Sequence, residues 1–270
     1  MSPHRENELE YDDADLSSLD RPEIRRIAFY PRKSSIRPPQ PHARDYLVEV
    51  EPGVRIGCRF YTRTPESPSM LCFHGNDEIV DDYDRIAPLF NQIGINFFVA
   101  SYRGFGFSDG TPTVIDMFKD SHGIFKEFRK VAGEYGSRKG PFIMGRSLGG
   151  LSAVDLAYHH DIRGLIIECG SANTFRQFIR PLVSSNHPIW NDDWKFHSKV
   201  RLRSVFKPTL IIHGERDSLI PVEEARELYD NSGAKDKRLE IIPHGDHDNL
   251  MTVGREQYFN AIERFVRTYS

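Results

Sequence analysis

The stretch Pro141-Phe142-Ile143-Met144-Gly145-Arg146-Ser147-Leu148-Gly149-Gly150 constrains the fold more than any other part of the chain. A short apolar run breaks at a glycine, presents one serine and resumes as small residues. Phe142, Ile143 and Met144 suit a strand buried on both faces, while Leu148, Leu151, Val154, Leu156 and Ala157 recur at helical spacing. A serine between two such elements reads as the sharp strand-to-helix turn G-x-S-x-G, where side chains in place of the glycines would collide with a neighbouring strand or helix. Such a turn lifts the Ser147 hydroxyl clear of the sheet. An ordinary glycine-containing turn is the alternative, so the rest of the chain has to decide.

The alternation around this stretch is that of an α/β domain. Tyr46–Val50 and Arg55–Tyr61 are strand-like runs separated by Glu51-Pro52-Gly53, an antiparallel hairpin at a sheet edge. Ser69–Phe73 is a third strand, followed by apolar residues at helical spacing from Ile79 to Ile93 and a buried strand over Ile95–Ala100. Strand, helix, strand implies a βαβ unit and hence a parallel sheet. Further strands are expected at Ile162–Cys169, Pro208–Ile212 and Arg238–Pro243, with helices over 114–135 and 258–268. The glycine-rich loop Ser101–Gly110 has its third glycine one residue late for G-x-G-x-x-G, and no acidic fingerprint follows, which argues against dinucleotide binding.

Two segments fall outside the alternation. Residues 1–44 form an N-terminal arm ahead of a domain over 45–270: the first twenty are dominated by Glu, Asp and Ser and are expected to bury little, while from 21 to about 44 Ile27, Phe29 and Tyr30 are expected to anchor a segment that Pro31, Pro38, Pro39 and Pro41 keep from regular structure. Residues 171–206 read as a small cap insertion broken by Pro188. Its aromatics either line an apolar pocket, with Phe175, Phe178 and Trp190 as candidates, or merely pack on the sheet.

Composition narrows the partners. The 270 residues carry a formal charge of −3, so no basic excess draws in nucleic acid or anionic lipid. A small ester, thioester or amide is the expected partner, and no pattern specifies an oligomeric state. Cys58, Cys72 and Cys169 lie far apart without C-x-x-C spacing, which points to reduced, buried thiols rather than to zinc or disulfides. The acidic start lacks the apolar core of a signal peptide and no stretch approaches membrane-spanning length, so a cytoplasmic chain without a membrane span is expected.

Serine is a poor nucleophile at neutral pH, so acyl transfer at Ser147 needs a base, a group that orients the base, and donors for the oxyanion. In an open parallel sheet these come from loops at the carboxyl ends of strands. Asp217 lies just past the strand 208–212, with Glu215 as competitor. His247 lies after the strand 238–243 in a loop long enough to swing over the turn, with His244 as the rival nearer the strand. The order Ser147, Asp217, His247 is that of an elbow, an acid loop and a histidine loop on one sheet. The backbone N–H groups of Leu148 and Asn76 are the expected oxyanion donors, and His74 is expected to hold the turn before Asn76 rather than to take part in chemistry.

With His74-Gly75-Asn76, Tyr102-Arg103-Gly104-Phe105-Gly106-Phe107-Ser108, Gly145-Arg146-Ser147-Leu148-Gly149-Gly150, His213-Gly214-Glu215-Arg216-Asp217 and Gly245-Asp246-His247-Asp248-Asn249, residues 45–270 resemble the α/β-hydrolase family. They are most similar to its small-lidded, serine aminopeptidase-like branch. The resemblance implies a mostly parallel central sheet with helices on both faces, and a serine hydrolase that needs no metal or organic cofactor. Ester or thioester cleavage is the leading expectation. An amidase or aminopeptidase, with Glu168, Asp192 or Asp193 clamping a substrate amine, and a ligand-binding protein without turnover are the alternatives.

Overall fold

Pro52-Gly53 turns the chain between β1 (Ala43–Glu51) and β2 (Val54–Tyr61), whose antiparallel register pairs Val48 with Ile56 and Tyr46 with Cys58. In the computed structural model, which describes residues 11, 14–36, 38–180 and 182–270, this hairpin is the edge of one eight-stranded sheet. The other strands are β3 (Ser69–Phe73), β4 (Asn96–Ala100), β5 (Phe142–Arg146), β6 (Gly164–Glu168), β7 (Thr209–Gly214) and β8 (Lys237–Ile242). Their spatial order is β1-β2-β4-β3-β5-β6-β7-β8, and every pairing from β4 onward is parallel. This is the arrangement that the family resemblance implies.

The central strands are apolar on both faces because helices cover both. Leu71, Phe73, Ile143 and Ile167 face a core shared with α4 (Val114–Glu134) and α5 (Gly149–His159). Met70, Cys72, Met144 and Ile166 face the opposite core, which contains α3 (Ala87–Gln92) and the helix Arg255–Tyr269. Cys58, Cys72 and Cys169 are buried and unpaired. Among the described residues no helix is long and apolar enough to cross a membrane.

The course of the chain departs from sequence-based expectation first in the helical stretch after β3. The helical spacing from Ile79 to Ile93 yields a 3₁₀ turn over Val80–Asp84 and then the short α3. Pro88 has no N–H to continue a hydrogen-bond ladder, but it is tolerated in the first turn, so the helix restarts there. The amino-terminal segment is the second correction. Residues 1–10, 12 and 13 lie outside the described residues, but Tyr11, Leu16 and Leu19 are buried in the core instead of draped over it. The helix α2 (Pro22–Ala28), after the short turn α1 (Ala14–Ser17), buries Ile24 and Ala28.

What draws Tyr11 inward is a buried carboxylate. The Tyr11 hydroxyl donates to Asp155 of α5, which also meets His122 Nε2 of α4 at 3.0 Å and the guanidinium of Arg201 from the helix Ser198–Leu202. Burial works to raise the Asp155 pKa, but Arg201 and the hydrogen bonds from His122 and His159 outweigh it and hold the carboxyl well below its usual range. Asp155→Asn is therefore expected to cost ~3 kcal/mol at pH 7, because it strands the buried Arg201 charge. The folded-state pKa lies below the unfolded one, so the carboxylate's contribution is complete above roughly pH 4 and shrinks as pH falls further. Urea unfolding at pH 7 and pH 3 checks this: a gap between the two proteins that fails to narrow in acid would contradict it.

Candidate active site

The serine turn is built by two close approaches. A Cβ at Gly145 would lie 2.2 Å from the Gly149 carbonyl oxygen, and one at Gly149 would lie 2.1 Å from that of Phe73, so β5, the turn and α5 close up only with glycine at both positions. Ser147 itself sits at φ 52° in the left-handed region, its N–H held by the Glu168 carbonyl at 2.8 Å. Backbone strain of this kind persists only where surrounding structure imposes it.

Loops after β7 and β8 deliver the other groups to the same sheet edge. His247 Nε2 stands 2.9 Å from Ser147 Oγ, and His247 Nδ1 stands 2.8 Å from Asp217 Oδ2. Asp217 Oδ1 accepts from the N–H groups of Leu219 and Ile220 at 3.0 and 2.7 Å. Burial favours the neutral acid, but hydrogen bonds from His213, His247 and Ile220 override it and hold the Asp217 pKa well below the usual carboxylate range. An ionised Asp217 accepts from Nδ1–H, which leaves the Nε2 lone pair facing the serine hydroxyl. The two rivals meet each other instead: Glu215 and His244 pair at 3.8 Å on the surface, with 51% and 68% of their side chains exposed. Asp246, next to the histidine, turns its carboxylate to the N–H groups of Ser218 and His247 and so ties the two loops together.

Asn76 follows β3 and shares a cavity with Ser147 and Leu148. Among the described residues, no acceptor engages the backbone N–H of Asn76 or of Leu148. His74 is fully buried, with Nε2 2.9 Å from Ser101 Oγ and its carbonyl accepting from the Tyr102 hydroxyl at 2.7 Å, which fixes the turn. The cavity measures about 170 Å³ and its walls are mainly apolar. Of the expected aromatics, Phe175 and Phe178 line it, whereas Trp190 is a correction: it lines a neighbouring cavity, its indole N–H committed to the Ser184 carbonyl. Trp194 and Phe196 of the cap are buried in the core. Glu168, Asp192 and Asp193 are all spent in ion pairs, and none lines the cavity.

Beneath the cavity lies a group that sequence reasoning missed. Arg146, the residue between Gly145 and Ser147, is buried; its guanidinium reaches Glu78 at 3.0 Å, Glu168 at 3.5 Å, Asp248 at 2.8 Å and the His247 carbonyl at 2.9 Å. Burial disfavours its charge, but Glu78 and Glu168 outweigh that, so its pKa moves up. Glu78 in turn accepts from the Gly75 N–H at 2.6 Å and the Tyr83 hydroxyl, and Glu168 accepts from the Tyr258 hydroxyl at 2.8 Å. One side chain thus links the Asn76 turn, the end of β6 and the histidine loop. The signal for it was a charge abutting a buried strand, matched by an acid closing the apolar run Leu165-Ile166-Ile167-Glu168.

Among the described residues, two groups bring three ligand-type atoms close enough for a cation: His122, Asp155 and His159, and Cys169, Asp217 and His247. In the first, Arg201 already occupies the carboxylate. In the second, Asp217 and His247 face each other, and burial drives the Cys169 thiol far above its usual pKa. Neither donor set is arranged for a metal.

Comparison with known proteins agrees with this architecture. The family described as Serine aminopeptidase, S33, matches residues 65–192 and 193–252. Alpha/beta hydrolase domain-containing protein 17B of Homo sapiens is 25% identical over 233 residues, which cover 82% of this chain and 74% of that protein. An uncharacterized membrane protein of Saccharomyces cerevisiae is 26% identical over 185 residues, covering 66% of this chain and 62% of that protein's length. Among solved structures, an esterase of Pyrococcus furiosus superposes with a TM-score of 0.71 at 18% identity, over 89% of this chain and 99% of that one. Est1E of Butyrivibrio proteoclasticus, with ferulic acid bound, gives 0.65 at 19% identity, over 83% and 98% of the two chains. The structural likenesses are of fold; the family match spans most of the chain, and on it this protein belongs to the Serine aminopeptidase, S33 family of α/β hydrolases.

Proposed function

We propose that the protein is a serine hydrolase that cleaves a carboxylic ester or thioester through an acyl-enzyme. The observation that carries this reading is the hydrogen-bonded line from Asp217 through His247 to Ser147, which ends at an apolar cavity. Ser147 Oγ attacks the acyl carbon as its proton passes to His247 Nε2, and Asp217 stabilises the imidazolium through Nδ1–H. The N–H groups of Asn76 and Leu148 take the oxyanion, Leu148 lying at the positive end of α5. His247 then protonates the leaving group, and water repeats the sequence to release the acid.

An ester or thioester is favoured over an amine-bearing peptide because, among the described residues, the cavity offers no carboxylate to a substrate ammonium, and a buried unpaired charge is costly. The esterases among the structural neighbours support the same choice at the level of fold alone. A fluorophosphonate probe on the folded protein is expected to label Ser147, and p-nitrophenyl esters are expected to be turned over in preference to aminoacyl p-nitroanilides. A folded protein that takes no label would be a binding protein; faster cleavage of the anilides would make it an aminopeptidase.

A further inference from the structure

The cavity beside Ser147 is closed in part by residues that precede the hydrolase domain. Ile27, Ala28 and Tyr30, from α2 and the residues after it, face it along with Leu148, Phe175 and Phe178. This contact is built in. The Phe29 ring packs edge-on against Phe175 with centroids 6.4 Å apart, and the Tyr30 N–H donates to Asn76 Oδ1 at 2.9 Å. Downstream, the chain pairs with the glycine-rich loop, the Gly106 N–H donating to the Arg32 carbonyl at 2.7 Å and the Ser34 N–H to the Gly106 carbonyl at 3.1 Å. Upstream, Asp20 accepts from the Val114 N–H at the start of α4, and Arg21 donates to the Leu182 carbonyl of the cap. Helix α2 is thereby pinned between the cap, the Asn76 turn and the core.

We infer that α2 is a specificity-determining wall of the substrate cavity, with Ile27 and Ala28 limiting it to uncharged acyl groups of around six carbon atoms; this rests on the hydrolase reading proposed above. The class follows from the lining and the size. Among the described residues no charged side chain lines the cavity, so an ionised acyl group would lose its hydration without replacement. An apolar cavity of ~150 Å³ holds a benzene molecule, so one of about 170 Å³ takes a chain of similar carbon count. Ala28 lines the cavity with a single methyl group, so a larger side chain at this position would take up part of the space. Ile27, one position along α2 and half-buried, presents a larger side chain to the same space.

The test is a p-nitrophenyl ester series (acetate, butyrate, hexanoate, decanoate) on the full chain and two variants, read as ratios of kcat/KM. In Ala28→Phe the hexanoate-to-acetate ratio is expected to fall about tenfold or more, because the ring takes up the space of the chain. In Ile27→Ala, which removes bulk from a half-buried position and remains decisive if Ala28→Phe does not fold, the decanoate-to-hexanoate ratio is expected to rise at least about fivefold. A folded pair of variants that keep the parent's chain-length profile would overturn the inference while leaving the hydrolase reading intact. If the parent protein neither takes a fluorophosphonate label nor turns over any ester in the series, the hydrolase reading itself fails, and this inference with it.

Discussion

Ser147→Ala is expected to fold like the parent and to lose p-nitrophenyl ester hydrolysis by about three orders of magnitude or more. The fold is spared because the substitution removes only one hydroxyl, half-buried at the cavity wall, and one hydrogen bond to His247. Gly145 and Gly149, whose backbones make the turn, are untouched, and alanine carries the same φ strain as serine. Activity is lost because, among the described residues, no other hydroxyl or thiol is hydrogen-bonded to that imidazole: the nearby Cys169 is buried and points its sulfur at the His247 carbonyl from 3.9 Å. Residual turnover from the proposed oxyanion donors, Asn76 and Leu148, sets the floor. Circular dichroism matched to kcat/KM decides the matter, and a folded variant with parental activity would rule out acylation at Ser147.

Arg146→Met is expected to destabilise the protein by ~3–5 kcal/mol and to depress kcat more than it changes KM. The loss of stability comes from the partners. Glu168 is 2% exposed and Glu78 only 19% exposed at the side chain, so removing the guanidinium leaves two acids without their cation in a poorly solvated place. Asp248, 80% exposed, contributes little, since water screens such a pair. The effect on kcat comes from position: Arg146 does not line the cavity, but it holds the His247 carbonyl and, through Glu78, the Gly75 N–H of the turn that carries Asn76. Arg146→Lys is expected to recover part of the stability and less of the rate, because an ammonium keeps the charge but lacks the fork that reaches several partners at once. Urea midpoints and the kcat-against-KM split measure the two effects separately. A methionine variant within about 0.5 kcal/mol of the parent would mean that the network is not what holds these loops.

The legible and illegible parts of this chain differ in kind. Strand runs such as Phe142–Met144 and Ile166–Ile167 are visible because a strand covered on both faces must be apolar at nearly every position, and that demand is local. The G-x-S-x-G turn is visible as a short spacing: at Gly145 the excluded side chain would meet Gly149 within the motif, although at Gly149 it would meet Phe73 of the distant β3. The choices between Asp217 and Glu215, and between His247 and His244, were harder, since each pair shares one loop. In the structure one member of each pair points inward and the other meets its counterpart in solvent.

The amino-acid sequence by itself determined the alternation of strands and helices, the serine turn and the succession of loops that follow the strands, because each depends on contacts between near neighbours or on a periodicity. Tertiary structure decided the rest. It alone set which helix spacing breaks at Pro88, that Tyr11 buries against Asp155, that Trp190 falls outside the cavity while Ile27 and Ala28 fall within it, and that Arg146 is the hub beneath the site. The reason is distance along the chain: Tyr11 and Asp155 lie 144 positions apart, and Arg146 lies 101 from the carbonyl it holds. Nothing in the local sequence of either partner specifies the other, and only closure of the sheet brings them together.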